Sequence, residues 1–281
     1  MNNIVEIKNL TKKYNSFVLN DINLKIPSGV IVGIIGENGA GKTTLIKSML
    51  NMIKIDSGDI KIFNMNMKEN EDIIKEDIGV VFDDSFLSEY LTLKDISKIM
   101  KRIYKNWSDE KFNEIIEKFN LPLDKIVNKF SSGMKMKTKL AVAFSSLPKL
   151  LILDEPTSSL DPIIRNEILN LFQEFIEDGE HSIIFSTHIT SDLEHVADYV
   201  VYMEKGEIIF NKEKDILTEK YGIIKTTKEE LDKIDKEDII KILKNKYNIE
   251  VLIKDKSKYK NYIIDKPTVE DIMIMYAKGE K

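Results

Sequence analysis

Residues 36–43 read Gly36-Glu37-Asn38-Gly39-Ala40-Gly41-Lys42-Thr43, a G-x-x-x-x-G-K-T loop whose residue types suit a polyphosphate. Glycines let the backbone wrap with its N–H groups inward, and a following helix N-terminus adds partial positive charge. Lys42 is placed to reach the β- and γ-phosphates of a nucleoside triphosphate, and the Thr43 hydroxyl to ligate Mg²⁺. A pair of acids, Asp154-Glu155, ends the apolar run Leu150-Leu151-Ile152-Leu153. A strand there, parallel to the one entering the loop, would bring Asp154 to the metal and Glu155 to the attacking water. His181, His188 and His195 recur at a spacing of seven, but the strand-like run Ser182–Thr187 breaks that register and argues against a metal cluster. With no cysteine, disulfides and thiol catalysis are excluded.

The elements that must position these groups can be read from the apolar pattern. Val30-Ile31-Val32-Gly33-Ile34-Ile35 is a buried strand before the loop, and Thr44 to Leu50 opens a helix after it. Residues 4–10 and 18–26 predict an antiparallel pair, turned by Pro27-Ser28-Gly29 into the loop's strand, with Tyr14 in the polar connection. Ile60-Lys61-Ile62-Phe63 is a further strand, and residues 78–82 a buried one ending at Asp83-Asp84. From 91 to 130 the period becomes helical: Leu93, Ile96, Met100 and Ile103, then Phe112, Ile115 and Phe119. Trp107 packs where one of these helices ends and Ser108 caps the next. Residues 163–176 form an amphipathic helix, and residues 199–203 and 206–210 a hairpin. Beyond Asp215 the charge density rises. There the pattern predicts a helix over 236–246, a strand over 249–253 and a Thr268-capped helix to Ala277.

Bulk properties narrow the partners. The chain has 281 residues, net charge −5 and 42 basic residues, of which only Arg102 and Arg165 are arginines. Arginine prevails where phosphates or bases are read bidentately, so no direct nucleic-acid partner is expected. The N-terminus lacks a basic segment followed by an apolar core, and no apolar run reaches the ~20 residues that span a bilayer. A cytoplasmic chain that docks on a membrane protein is expected.

Three further stretches complete a pattern: Ser131-Ser132-Gly133-Met134 at a helix start, Ser158-Ser159-Leu160-Asp161 after Glu155, and Ser186-Thr187-His188. Their order resembles the ATP-binding subunit of ABC transporters over residues 1–215. The resemblance implies an α/β P-loop cassette with a mixed-sheet core, an antiparallel β subdomain and a helical subdomain at about 84–148. Residues 216–281 would be a small C-terminal α/β accessory or regulatory domain. By similarity, Gly36, Asn38, Gly39, Ala40, Gly41, Lys42, Thr43 and Thr44 cradle ATP, and Tyr14 stacks on the adenine. Thr43, Asp83 and Asp154 hold Mg²⁺, with Glu155, His188 and Lys42 catalytic. Ser131, Ser132, Gly133, Met134 and Asp161 serve a second ATP across a head-to-tail dimer, homodimeric or heterodimeric.

Two positions depart from the family pattern. Asp83 stands where a glutamine normally senses Mg²⁺ and γ-phosphate, and Ser132 stands where the signature usually has glycine. The Ser-x-Gly-Met-Lys form resembles a bacterial exporter branch with separately encoded membrane subunits, which includes exporters of antimicrobial and phenol-soluble-modulin-type peptides. The resemblance implies an ATPase at the inner face of the membrane, driving a permease that docks near Phe86, Leu87, Tyr90 and Leu91. The rival readings are a soluble ABC ATPase on ribosomes or another machine, an importer ATPase, and a nucleotide-gated clamp. A single cassette without an inserted coiled coil disfavours the ribosomal and DNA-linked readings.

Overall fold

The computed structural model describes residues 2–82, 88–245 and 248–280. Strands β1 (Asn3–Lys13) and β2 (Val18–Pro27) pair antiparallel, with Val5 opposite Ile26 and Ile7 opposite Leu24. Ile7 and Leu10 are both buried although three residues apart, because the register shifts between them around Asn9, which adopts φ 48°. That bulge restores the inward face after one extra residue. β3 (Ile31–Ile35) follows, then the phosphate loop and α1 (Lys42–Met49). β4 (Ser57–Ile62) and β5 (Met65–Asn66) complete a four-stranded sheet in the order β2-β1-β4-β5. After α2 (Glu71–Glu76), β6 (Ile78–Val81) enters a second sheet as its edge strand.

The helical segment consists of α3 (Leu93–Ile103), α4 (Asp109–Lys118) and α5 (Ser132–Ser145). Thr92 caps α3 through a reciprocal box with Asp95, and Ser108 caps α4. Between them Trp107 packs on Tyr104 and Phe112 while its Nε1 donates to Asp109. Leu93, Ile96, Phe112, Ile115 and Phe119 of the apolar stripes read from the sequence face a core, whereas Ile103 at the end of α3 is exposed.

β7 (Leu150–Leu153), α6 (Pro162–Ile176), β8 (Ser182–Thr187), α7 (Thr190–Val196), β9 (Tyr199–Glu204) and β10 (Glu207–Glu213) finish the central layer. Its six strands run in the order β10-β9-β3-β8-β7-β6, parallel except for the terminal β10. β3, β7 and β8 are buried on both faces, which explains their continuous apolar runs. Ile31 and Ile35 point into the helix-side core, whereas Val32 and Ile34 point into the core shared with β1, β2 and α1. Ile35 lies beside Thr187 and Leu153 beside Phe185. This register brings the segments after β3, β7 and β8 to one sheet edge, where open α/β sheets place their sites.

Beyond β10 lie β11 (Gly222–Thr226), α8 (Lys228–Leu231), β12 (Ile239–Lys244), β13 (Ile249–Ile253), β14 (Ile264–Asp265) and α9 (Val269–Lys278). The strands form a separate sheet, β12-β13-β11-β14. The helix predicted over 236–246 is instead β12. Ile239, Ile240, Ile242 and Leu243 fit a helical stripe, yet β-branched isoleucines also suit a pleated ladder. β13 supplies the partner, with Ile242 opposite Val251 and Lys244 opposite Ile249.

This C-terminal part has a small core of its own around Ile224, Ile234, Val251 and Ile253. α9, however, buries Val269, Ile272 and Met275 in the same cluster as Leu193, Val196 and Val200 of the central layer. Truncating Ile272 to alanine is expected to cost about 2–5 kcal/mol. The loss should appear in a single calorimetric unfolding transition, because the buried cluster is shared. A separate early transition for the C-terminal sheet would show that its packing is independent.

Candidate functional site

The loop leaving β3 closes around the Lys42 side chain, which is only 6% exposed. Its Nζ donates to the Gly36 (2.7 Å) and Glu37 (3.3 Å) carbonyls and lies 3.3 Å from Glu155 Oε1. Gly39 (φ 84°) and Gly41 (φ 107°) occupy the left-handed region, which other residues enter only at a cost. A Cβ on Gly41 would come within 2.8 Å of the Phe17 ring, whereas one on Gly39 would meet nothing within 4 Å. The loop thus packs on Phe17 at one point and faces open space at the other.

At the neighbouring strand end, Asp154 is 5% exposed and satisfied by hydroxyls. Thr43 Oγ1 donates to its Oδ2 (2.8 Å) and Ser186 Oγ to its Oδ1 (2.6 Å). Ser186 Oγ in turn accepts from the Glu155 backbone N–H at 2.9 Å. Glu155 itself has φ 50°. Left-handed backbone at a non-glycine costs roughly 1–3 kcal/mol and persists only where the surroundings impose it. Here the turn carries the carboxylate between Lys42 and His188, whose Nδ1 is 2.8 Å from Glu155 Oε2. A hydrogen bond to a carboxylate places the ring proton on Nδ1.

These groups border a cleft of about 600 Å³ lined by Ser16, Phe17, residues 38–44, Glu155, Ser158 and His188. Its chemistry fits a polyanion: a buried ammonium, an inward loop and a helix N-terminus at one end. Thr43 Oγ1 and the Asp154 carboxylate are hard oxygen donors within 2.8 Å of each other, a pairing suited to Mg²⁺.

The other predicted positions fall elsewhere. Tyr14 is 46% exposed, with Lys12 Nζ 5.0 Å from its ring centroid. Tyr14 does not line the cleft, and Phe17, held in the same turn by Tyr14 N–H donating to its carbonyl (2.8 Å), does. Ser131 caps α5, accepting from Met134 N–H at 3.3 Å, and is exposed with Ser132. Gly133 is buried, and a Cβ there would come within 2.6 Å of Ile164 Cδ1. Asp161 caps α6 through the Ile163 and Ile164 N–H groups. None of these residues lines the cleft of its own chain. Asp83, Phe86 and Leu87 lie outside the described residues.

The histidines do not converge. His181 pairs with Asp178, His195 lies near Asn170, and no metal-binding cluster of His, Cys, Asp or Glu occurs among the described residues. Phe17 carries no motif of its own, and Ser186 was legible only as the residue before Thr187-His188.

A second concavity, of about 420 Å³, opens between β6 and the helical segment. Leu50, Ile78, Phe82, Met100, Ile103 and Tyr104 make it largely apolar, with Lys75 and Lys139 at its margin. Tyr90 is 79% exposed, and Leu91 packs against the helical core.

A phosphate loop on the central sheet, with acid and histidine arriving from adjacent strands, defines a P-loop ATPase. The sequence model of the ABC transporter family matches residues 19–158. The chain is 36% identical over 215 residues to the lantibiotic transport ATP-binding protein SrtF of Streptococcus pyogenes, covering 75% of this chain and 92% of that one. It is 34% identical over 214 residues to the bacitracin transport ATP-binding protein BcrA of Enterococcus faecalis, covering 74% and 69%. A solved structure titled as the ATP-binding subunit of an ABC transporter superposes with TM-score 0.69 at 27% identity, covering 76% of this chain and 91% of that one. The chain therefore belongs to the ABC transporter family, as one of its ATP-binding, ATP-hydrolysing cassettes. Among its described residues no helix is long and apolar enough to cross a membrane.

Proposed function

We propose that this cassette hydrolyses ATP between two copies arranged head to tail and drives a separately encoded membrane exporter. The observation that carries the catalytic reading is Glu155, whose carboxylate touches both Lys42 (3.3 Å) and His188 (2.8 Å) at the mouth of the loop. Lys42 exchanges its contact with Glu155 for the β- and γ-phosphates. Thr43 and Asp154 would hold Mg²⁺, which when bound would neutralise charge on the phosphate oxygens. Glu155 is then free to orient a water and accept its proton as the oxygen attacks the γ-phosphorus and the bond to the β-phosphate oxygen breaks. His188 positions Glu155 and stabilises charge on the transferring group. Tyr14 and Phe17 are the aromatic candidates to meet the adenine, and Asp83 the candidate sensor of metal and γ-phosphate.

The signature residues support the dimer reading. Ser131 and Ser132 are exposed at the start of α5, a helix N-terminus suited to an anion, and do not line their own chain's cleft. A second copy, or a homologous partner, would bring Ser131, Gly133 and Asp161 to the γ-phosphate held by the first.

The apolar groove beside α3 supports docking of a short helix from the membrane subunit, which would hold the cassette at the inner face of the membrane. Relatives named for transport of bacitracin and of a lantibiotic support an exporter of antimicrobial peptides. Ile103 lines this groove and is 63% exposed, so Ile103→Glu should change fold stability by less than about 0.5 kcal/mol. The charge is expected to abolish co-purification with a co-expressed permease. Wild-type recovery in the membrane fraction would place the docking surface elsewhere.

A further inference from the structure

Asp192, on α7 four residues past His188, is fully buried, yet no motif of the family reading includes it. Its Oδ2 accepts from Thr157 Oγ1 (2.6 Å) and Thr187 Oγ1 (3.2 Å), and its Oδ1 accepts from Arg165 Nε. Arg165 Nη2 also donates to Ser191 Oγ at 2.6 Å. Burying a carboxylate is expensive unless every oxygen is paired, and here each one is.

The donors come from the segments that carry the reacting groups. Thr157 is two residues beyond Glu155 and 1% exposed. Thr187 directly precedes His188, and its hydroxyl also accepts from Ile189 N–H (3.0 Å), so hydrogen bonds bracket the histidine. Arg165 lies on α6, just past Asp161. Glu155 needs outside support for its left-handed backbone. Ser186 holds its N–H from one side, and the Thr157–Asp192 bond fastens the chain on the other.

We infer that Asp192, through Thr157 and Thr187, is a positioning residue that fixes the segments bearing Glu155 and His188 in reactive register. Arg165 anchors it in charge and direction; its planar fork spans Asp192 and Ser191 together, a geometry lysine cannot reproduce. This inference rests on the roles given above to Glu155 and His188. A misplacement of about 1 Å at a reacting group costs on the order of 10²-fold in rate, so the network acts on turnover rather than on nucleotide affinity.

Steady-state hydrolysis by Thr157→Val and Thr157→Ser, with Glu155→Gln alongside, tests it. Thr157→Val keeps the volume and removes the hydroxyl. Its kcat is expected to fall about 10–100-fold while KM for ATP stays within about two-fold. Thr157→Ser is expected to restore most of that loss. Asp192→Asn should fall at least as far as Thr157→Val, and where removing the charge leaves an unfolded chain the Thr157 pair decides alone. Turnover of Thr157→Val within two-fold of wild type, or an equal loss in Thr157→Ser, overturns the inference. If Glu155→Gln is inactive while Thr157→Val is active, this inference fails alone. If Glu155→Gln is active, the catalytic reading beneath it fails.

Discussion

Glu155→Gln is expected to lower ATP turnover by about 10²–10⁴-fold, the range a positioned general base contributes. The amide is nearly isosteric and still accepts from His188 Nδ1, now 2.8 Å from the carboxylate, so the local turn survives. What disappears is the charge proposed to take the water's proton. The same carboxylate lies 3.3 Å from Lys42 Nζ and so competes with the nucleotide for that ammonium. Removing it should therefore tighten ATP binding by about five-fold, the equivalent of roughly 1 kcal/mol, the upper end of what a solvent-screened ion pair is worth net. Phosphate release and equilibrium binding measure the two effects separately. Unchanged turnover would mean that Glu155 is not the catalytic carboxylate.

Lys42→Ala is expected to act on the opposite quantity. The wild-type ammonium is buried against the Gly36 and Glu37 carbonyls and can transfer to phosphate oxygens without leaving the loop. Charged hydrogen bonds contribute about 1.5–3 kcal/mol each, so losing two of them, one to each of the β- and γ-phosphates, weakens ATP binding by about 10²-fold or more. Ligand stabilisation makes this visible without an activity assay. ATP at 100 times its wild-type dissociation constant stabilises the fold by about 2.7 kcal/mol, and the variant should gain almost none of it. A wild-type thermal shift in the variant would remove Lys42 from the phosphate site.

The parts of this architecture that rest on sequence-local rules are legible in the sequence. The Gly36–Thr43 loop declares itself by glycine spacing, and Asp154-Glu155 by an apolar run that only a two-sided buried strand explains. Parallel register then converts those linear motifs into one cleft. Arrangements made by tertiary contact were harder to read. β12 has an isoleucine pattern shared by helix and strand, and only the distant partner β13 decides it. Tyr14 has the aromatic chemistry, but Phe17, three residues on, is the ring that the turn sets against Gly41. Asp192 looks like any acid on a polar helix. The readable signal was its partner: in a chain whose basic residues are almost all lysine, Arg165 marks a place where a planar fork is needed. The C-terminal residues alternate well enough to predict elements. Their junction with α7 depends on Val269, Ile272 and Met275 meeting a surface some seventy residues earlier.

In the proposed dimer each ATP is held by the loop of one copy and the signature of another. Ser131→Asp keeps an efficient helix cap but sets a negative charge where the γ-phosphate of the other copy would lie. Lys42→Ala disables the loop and leaves the signature intact. Each variant alone should be nearly inactive in ATP hydrolysis. Mixed in equal amounts, half of the dimers pair the two variants and each contains one intact composite site, so about a quarter of wild-type turnover should return. A mixture no more active than the sum of its two components would contradict a site shared between copies of this chain.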